Sequence, residues 1–192
     1  MRWLWAGALL CGLLTACRHP RTPEQACEDF LRAVSEGDGG SVFDSLLETT
    51  RWAFFTVQKN HREMRQLVGD TYPPAERTAA LARLYGADAE SGRDLFIQIY
   101  PERYAAAWTS RLGSGEPRLV PSPDSSAGQA SEFLCQRSSG QPFRIRRTAS
   151  GKWGMSELNS EWEQAQLRAI HDLETVKKNA DLYRRLSASP TK

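Results

Sequence analysis

Four cysteines, at positions 11, 17, 27 and 135, carry the most reactive side chains of this 192-residue sequence. A thiolate is a nucleophile and a metal ligand, and two thiols that meet in an oxidising compartment form a disulfide. Their surroundings separate these uses. Cys11 lies within an apolar run, and Cys17 closes that run directly after Ala16. Cys27 falls on the apolar side of a helical pattern with Phe30, Leu31 and Val34, and Cys135 shares one face of a strand-like segment with Phe133. A catalytic cysteine needs an exposed, perturbed thiol beside a histidine. Cys27 and Cys135 are therefore read as a disulfide pair, or else as two buried free thiols. A bridge closing so long a loop contributes roughly 4–5 kcal/mol in the chain-entropy account.

Other reactive groups are sparse. Of the three histidines, His19 stands near the amino terminus, while His61 and His171 fall on polar faces of expected helices. None has the closely spaced partners that zinc requires, so neither a metal nor a cofactor is expected. No Gly-x-Ser-x-Gly elbow is present, no glycine-rich phosphate loop occurs, and Gly113-Ser114-Gly115 reads as a turn. Asp94 and Glu132 are the carboxylates that a pocket could turn into bases; their plainer readings are a helix-start carboxylate and a solvated strand residue. No catalytic residue is assigned. The basic segment Arg144, Ile145, Arg146, Arg147 is a solvated sheet face or a contact for anionic lipid headgroups or polymer. Trp52, Phe54 and Phe55 are core, or line a pocket or partner groove.

The amino terminus reads MRWLWAGALLCGLLTAC. Arg2 is followed by an uncharged run from Trp3 to Ala16, the layout of a secretory signal peptide. A membrane-spanning helix needs about 20 apolar residues, and Arg18, His19 and Arg21 follow at once, so a stable span is the weaker reading. Leu14-Thr15-Ala16-Cys17 resembles the lipobox of bacterial lipoprotein precursors. The resemblance implies cleavage before Cys17, a diacylglyceryl group on its thiol and acylation of the new amino end. Two or more chains anchor firmly where a single one is marginal. By the same resemblance Arg18, which is not Asp, implies the outer membrane, with the domain facing the periplasm. Residues 1–16 are then a signal peptide and 17–22 the lipidated cysteine and a short tether.

Removal of residues 1–16 takes one basic side chain, Arg2, and leaves 24 Lys and Arg against 23 Asp and Glu. A near-neutral domain of that size can bury a real core and gives no electrostatic reason to bind nucleic acid. Its expected partners are the membrane, through the anchor, and an envelope protein or component.

The elements that must position these groups follow from periodicity. Thr22-Pro23-Glu24-Gln25 opens a first helix with a capping pattern, and Gly37 ends it. A second begins at Ser41 and Asp44, with Val42, Phe43, Leu46 and Leu47 inward. Short helices are expected around Met64, Leu67 and Val68, over Pro74 to Tyr85, and after a Ser91 cap up to Pro101. Ala106 to Leu112 is expected as a strand and Pro117 to Ser131 as loop. Glu132–Arg137, Pro142–Thr148 and Lys152–Leu158 read as strands joined by hairpin turns. Ser160 and Glu163 form a capping box for a long last helix. Its seam of Trp162, Ala165, Ala169, Leu173, Val176, Ala180 and Tyr183 is widened by Leu167, Ile170, Leu182 and Leu186. Residues 187–192 are a tail.

Helices followed by a meander make an α+β order: amino-terminal helices on a small curved antiparallel sheet, with a long carboxy-terminal helix, in one domain over 23–186. Ala26 to Val34, Gly37-Asp38, Phe43 to Leu47 and the strands at 132–158 resemble the small secreted relatives of the nuclear-transport-factor-two and ketosteroid-isomerase superfamily. The helices at 60–105 and the last helix depart from that pattern. The resemblance implies a fold, and no functional residue is carried over. Two functions are expected in consequence: a non-catalytic anchored lipoprotein that binds a partner or envelope component, or a small-molecule-binding or catalytic pocket module of the isomerase type.

Overall fold

The computed structural model describes residues 22–123 and 131–188. The expected signal segment, Cys17 and its tether as far as Arg21, and the last four residues lie outside them. Within them the chain is α+β: six helices, a four-stranded antiparallel sheet and a long final helix.

Helix α1 (Pro23–Glu36) starts where the Thr22 hydroxyl accepts from the Gln25 amide at 3.3 Å. It stops at Gly37, whose φ of 70° suits a residue without a Cβ. Asp38 then caps α2 (Gly39–Ser45), two residues earlier than the expected start at Ser41. Its carboxylate accepts the Ser41 hydroxyl at 2.6 Å and the amides of Ser41 and Gly40 at 3.1 and 3.0 Å. These bonds, the Ser41 hydroxyl first, hold its pKa below the usual carboxylate value.

The segment expected as an aromatic run and a separate short helix is one helix, α3 (Glu48–Thr71). Phe54, Val57, His61, Met64 and Val68 step by three and four along its buried face. A helix spreads neighbouring residues around its axis, so only Phe54 of the aromatic trio enters the core. Trp52 is 62% exposed and Phe55 is partly exposed.

Helix α4 (Pro74–Leu81) precedes α5 (Gly92–Tyr100), which is capped by Ser91. At Gly92 a Cβ would lie 2.5 Å from the Phe55 amide nitrogen, so α5 crosses α3 backbone against backbone. Pro101 does not end the helical path. The chain passes through a π turn (Pro101–Ala105) into α6 (Ala106–Leu112), the segment expected as a strand. Trp108 and Leu112 are buried four residues apart. A spacing of four fits period two as well as one helical face, which is why alternation misled here.

Strands β1 (Pro117–Pro121), β2 (Glu132–Arg137), β3 (Phe143–Arg147) and β4 (Trp153–Met155) form a meander in that order. β1 lies in the stretch expected as loop; its prolines at both ends read as breakers, but suit an edge strand. β4 is shorter than expected. Leu119, Cys135 and Phe143 are cross-strand neighbours on the inner face. There Cys27 of α1 is bonded to Cys135, with Cα atoms 5.5 Å apart across 108 residues. Phe30 packs edge-on against Phe143 at 5.0 Å and Trp108 at 5.4 Å.

Helix α7 (Asn159–Ala188) includes Ser187 and Ala188, expected in the tail. Asn159 rather than Ser160 organises its start. Its carbonyl accepts the Thr49 and Thr50 hydroxyls at 2.7 and 3.0 Å, and its amide donates to Glu163 at 2.7 Å. From there α7 runs parallel to α3, with Gln166 on Thr56, Lys177 on Glu63 and Asn179 on the Tyr72 hydroxyl. Trp162, Ala169, Leu173 and Ala180 are buried in this contact. Leu167, Ile170, Leu182 and Leu186 are exposed, because one partner helix covers only a narrow stripe. Leu173→Asp is therefore expected to cost about 3–5 kcal/mol, the effect of an uncompensated charge in a buried place. Thermal melting and size-exclusion chromatography check this, and an unchanged melt with lost association would mean that the seam serves an external partner.

Candidate functional site

Along the later part of α3 and α7, α4 lies beside both, and a half-open cleft of about 460 Å³ lies between the three. Its shape follows from residue size. α4 turns Ala75, Ala79 and Ala80 toward the cleft, and none of its side chains is fully buried. Alanines are too short to fill the space that larger residues would close. Met64 and Val68 of α3 and Val176 of α7 supply apolar surface. α4 is held from outside: the Tyr183 hydroxyl donates to Glu76, and Arg77 donates to the Tyr72 carbonyl at 3.0 Å. The Tyr72 and Tyr183 rings meet edge-on at 4.9 Å and close this end.

His61 stands at the other end. Its expected place on a polar face is corrected: it is 6% exposed, covered by the segment after α4. Nδ1 lies 2.9 Å from the Tyr85 carbonyl, and the Tyr85 ring stands edge-on at 4.9 Å. A carbonyl only accepts, so Nδ1 carries the proton and Nε2 remains as the ring's other polar atom. Asp172, Thr175 and Asn179 of α7, with Glu76 and Arg83, make the rim polar. This is a slot of mixed lining, its exposed surface more polar than apolar, and a concave place of this kind can hold a partner group. A nucleophile–base pair is not among the contacts of its lining residues.

The residues singled out from the sequence fall elsewhere. Asp94 is tied to its own cap, accepting the Ser91 hydroxyl at 2.7 Å. Glu132 accepts the Ser122 hydroxyl at 3.1 Å and faces Arg144 and Arg146 at 3.3 and 3.7 Å. Neither is among the residues that line the cleft. Ser114 sits in a turn against Ser139. His171 is exposed, and His19 and Cys17 lie outside the described residues. The basic segment is divided by the pleat. Arg144 and Arg146 occupy the outward face, whereas Arg147 takes the opposite face and donates to the Gly151 carbonyl at 3.3 Å. Among the described residues no three His, Cys, Asp or Glu side chains gather as metal ligands.

No family model, curated protein or solved structure matches this chain. The site is therefore read from its own geometry. The space between helices and sheet is occupied by Phe30, Trp108, Phe143, Ile145 and Met155, and the roomy cleft lies some 13 residues along α7, about 20 Å from the sheet end at 1.5 Å per residue. The cleft was not foreseen from the sequence. Its one signal was the run of small residues after Pro73-Pro74, which also reads as an ordinary short helix.

Proposed function

We propose that the chain is a non-catalytic lipoprotein of the bacterial envelope, anchored by lipid on Cys17, that holds a protein partner or envelope component in the α3–α4–α7 cleft. The observation that carries the binding reading is the cleft itself, lined by both apolar and polar side chains and set at the end of the molecule away from the sheet. The anchor reading rests on the amino-terminal sequence, from Arg2 to Cys17. Its orientation toward the periplasm from the outer membrane rests on Arg18. A catalytic or ligand-binding module of the isomerase type would use a cavity between sheet and helices, and aromatic rings fill that space.

Two variants test the two halves separately. Cys17→Ala is expected to release the protein from the membrane fraction or to leave the precursor uncleaved; a mutant that matures and fractionates like wild type would end the anchor reading. Ala79→Trp is expected to fill the cleft without disturbing the core, because α4 buries no side chain. Components recovered with the wild-type protein from native membranes should then be lost, as read by mass spectrometry. Their undiminished recovery with Ala79→Trp would place binding elsewhere.

A further inference from the structure

The outward face of the sheet and the start of α1 belong to one arrangement. Cys27 is bonded to Cys135 of β2, and Phe30, one turn later, meets Phe143 of β3. Cys135 and Phe143 are direct cross-strand partners, so α1 crosses the strands in the direction from β2 to β3. Its amino end consequently points to β1, which among the described residues pairs only with β2 and forms an edge of the sheet. Five residues stand between Cys17 and Pro23, and at about 3.5 Å per step the extended chain reaches roughly 20 Å. Packed layers are spaced by about 10 Å, so this tether is long enough to round the β1 edge and reach the far side of the sheet.

Among the described residues no helix covers that far side. It carries Arg118 and Val120 of β1, Glu132 and Leu134 of β2, and Arg144 and Arg146 of β3, related by the register Val120–Leu134–Arg144 and by Glu132–Arg146. Among the described residues three arginines and one glutamate stand there, with Val120 partly exposed between them. The cleft at the other end carries charges of both signs, Glu76 and Asp172 with Arg83.

We propose that the outward sheet face, through Arg118, Arg144 and Arg146, rests on anionic phospholipid headgroups beside the lipid anchor and directs the cleft away from the membrane. The orientation depends on the anchoring through Cys17 proposed above. Each arginine near an anionic surface favours contact by about fivefold, and the effect weakens with salt. The set differs from the one suggested by the sequence: Arg118 joins it across the sheet, and Arg147, on the other face, leaves it.

The test uses the full-length mature lipoprotein reconstituted into vesicles of phosphatidylcholine, and into the same vesicles with added phosphatidylglycerol. Arginine modification by phenylglyoxal and amide hydrogen exchange are read by mass spectrometry. On the anionic vesicles Arg118 and Arg146 should be modified about fivefold or more slowly, and β1 amides should be protected, with both effects lost at high salt. The double variant Arg118→Gln with Arg146→Gln, which retains the Arg144–Glu132 pair, should lose the β1 protection while still floating with the vesicles. Equal modification on both vesicle types, with the protein afloat on both, would overturn the proposal and leave the anchor intact. Protection that is the same on neutral vesicles and survives the double variant would also overturn it, pointing to a second protein copy or an uncharged contact. A protein that floats with neither vesicle would refute the anchor, and this orientation with it.

Discussion

Trp162→Ala is expected to lower the melting temperature by about 10 °C or more. Trp162 is among the largest fully buried side chains. Its ring stacks on Phe54 with centroids 3.5 Å apart and planes inclined by 26°. Its indole N–H donates to the Tyr104 hydroxyl at 2.9 Å, and that hydroxyl donates to Glu161 at 3.0 Å. Burial pushes the Tyr104 phenol pKa up, so the group stays a neutral donor. Truncation removes the stack, opens a void between α3 and α7, and takes away the N–H that the phenol oxygen accepts. Large-to-small changes of this kind cost about 3–5 kcal/mol, and in a domain of this size each kcal/mol shifts the midpoint by about 2–4 °C. Trp162→Phe keeps an aromatic ring against Phe54 and loses the indole hydrogen bond, so its hydrogen-bond cost should be smaller, about 1 kcal/mol. Calorimetry of the three proteins checks the order. An Ala variant that melts with the wild type would mean that the start of α7 is not held against α3 as described.

Loss of the Cys27–Cys135 bridge is expected to have an effect of similar size. The bond joins α1 to β2 across 108 residues, and constraint of so long a loop in the unfolded chain contributes about 4–5 kcal/mol in the entropy account. That is a large part of the 5–15 kcal/mol by which a typical domain is stable. Both half-cystines are buried, so alanine at each position removes the bond without adding an unpaired polar group. The double variant Cys27→Ala with Cys135→Ala should melt about 10 °C or more below wild type, and added reductant should lower only the wild type. Quantitative alkylation of both thiols without reductant would exclude the bridge in the mature protein.

Local chemistry made some of this fold readable. The Thr22 cap, Pro23 and Gly37 bound α1 as their side chains and backbone freedom require, and the alternation of Phe143 and Ile145 with Arg144 and Arg146 fixed the two faces of β3. The apolar positions of Cys27 and Cys135 made a pairing thinkable before any distance was in hand. What remained hidden depends on contacts distant in sequence. α6 looked like a strand because Trp108 and Leu112, four residues apart, fit both periods. β1 was concealed by the prolines that protect its edge. His61 looked solvated until Tyr85 and the segment after α4 closed over it. The cleft is a product of three helices that meet only in the fold, and no residue within it has an unusual type or spacing.

The parallel course of α3 and α7 governs how the chain can fold. Thr50 meets Asn159, Thr56 meets Gln166 and Tyr72 meets Asn179, pairs separated by 109, 110 and 107 positions. Contacts of such high order pay the entropy of closing a long loop before they gain any burial, and they make folding slow. A chain synthesised as far as residue 158 possesses all of α3, yet has nothing to lay against the side that Trp162, Ala169 and Leu173 will cover. Until α7 arrives, that stripe is open to water and to other chains. Truncations that remove α7 are therefore expected to aggregate rather than yield a smaller soluble domain.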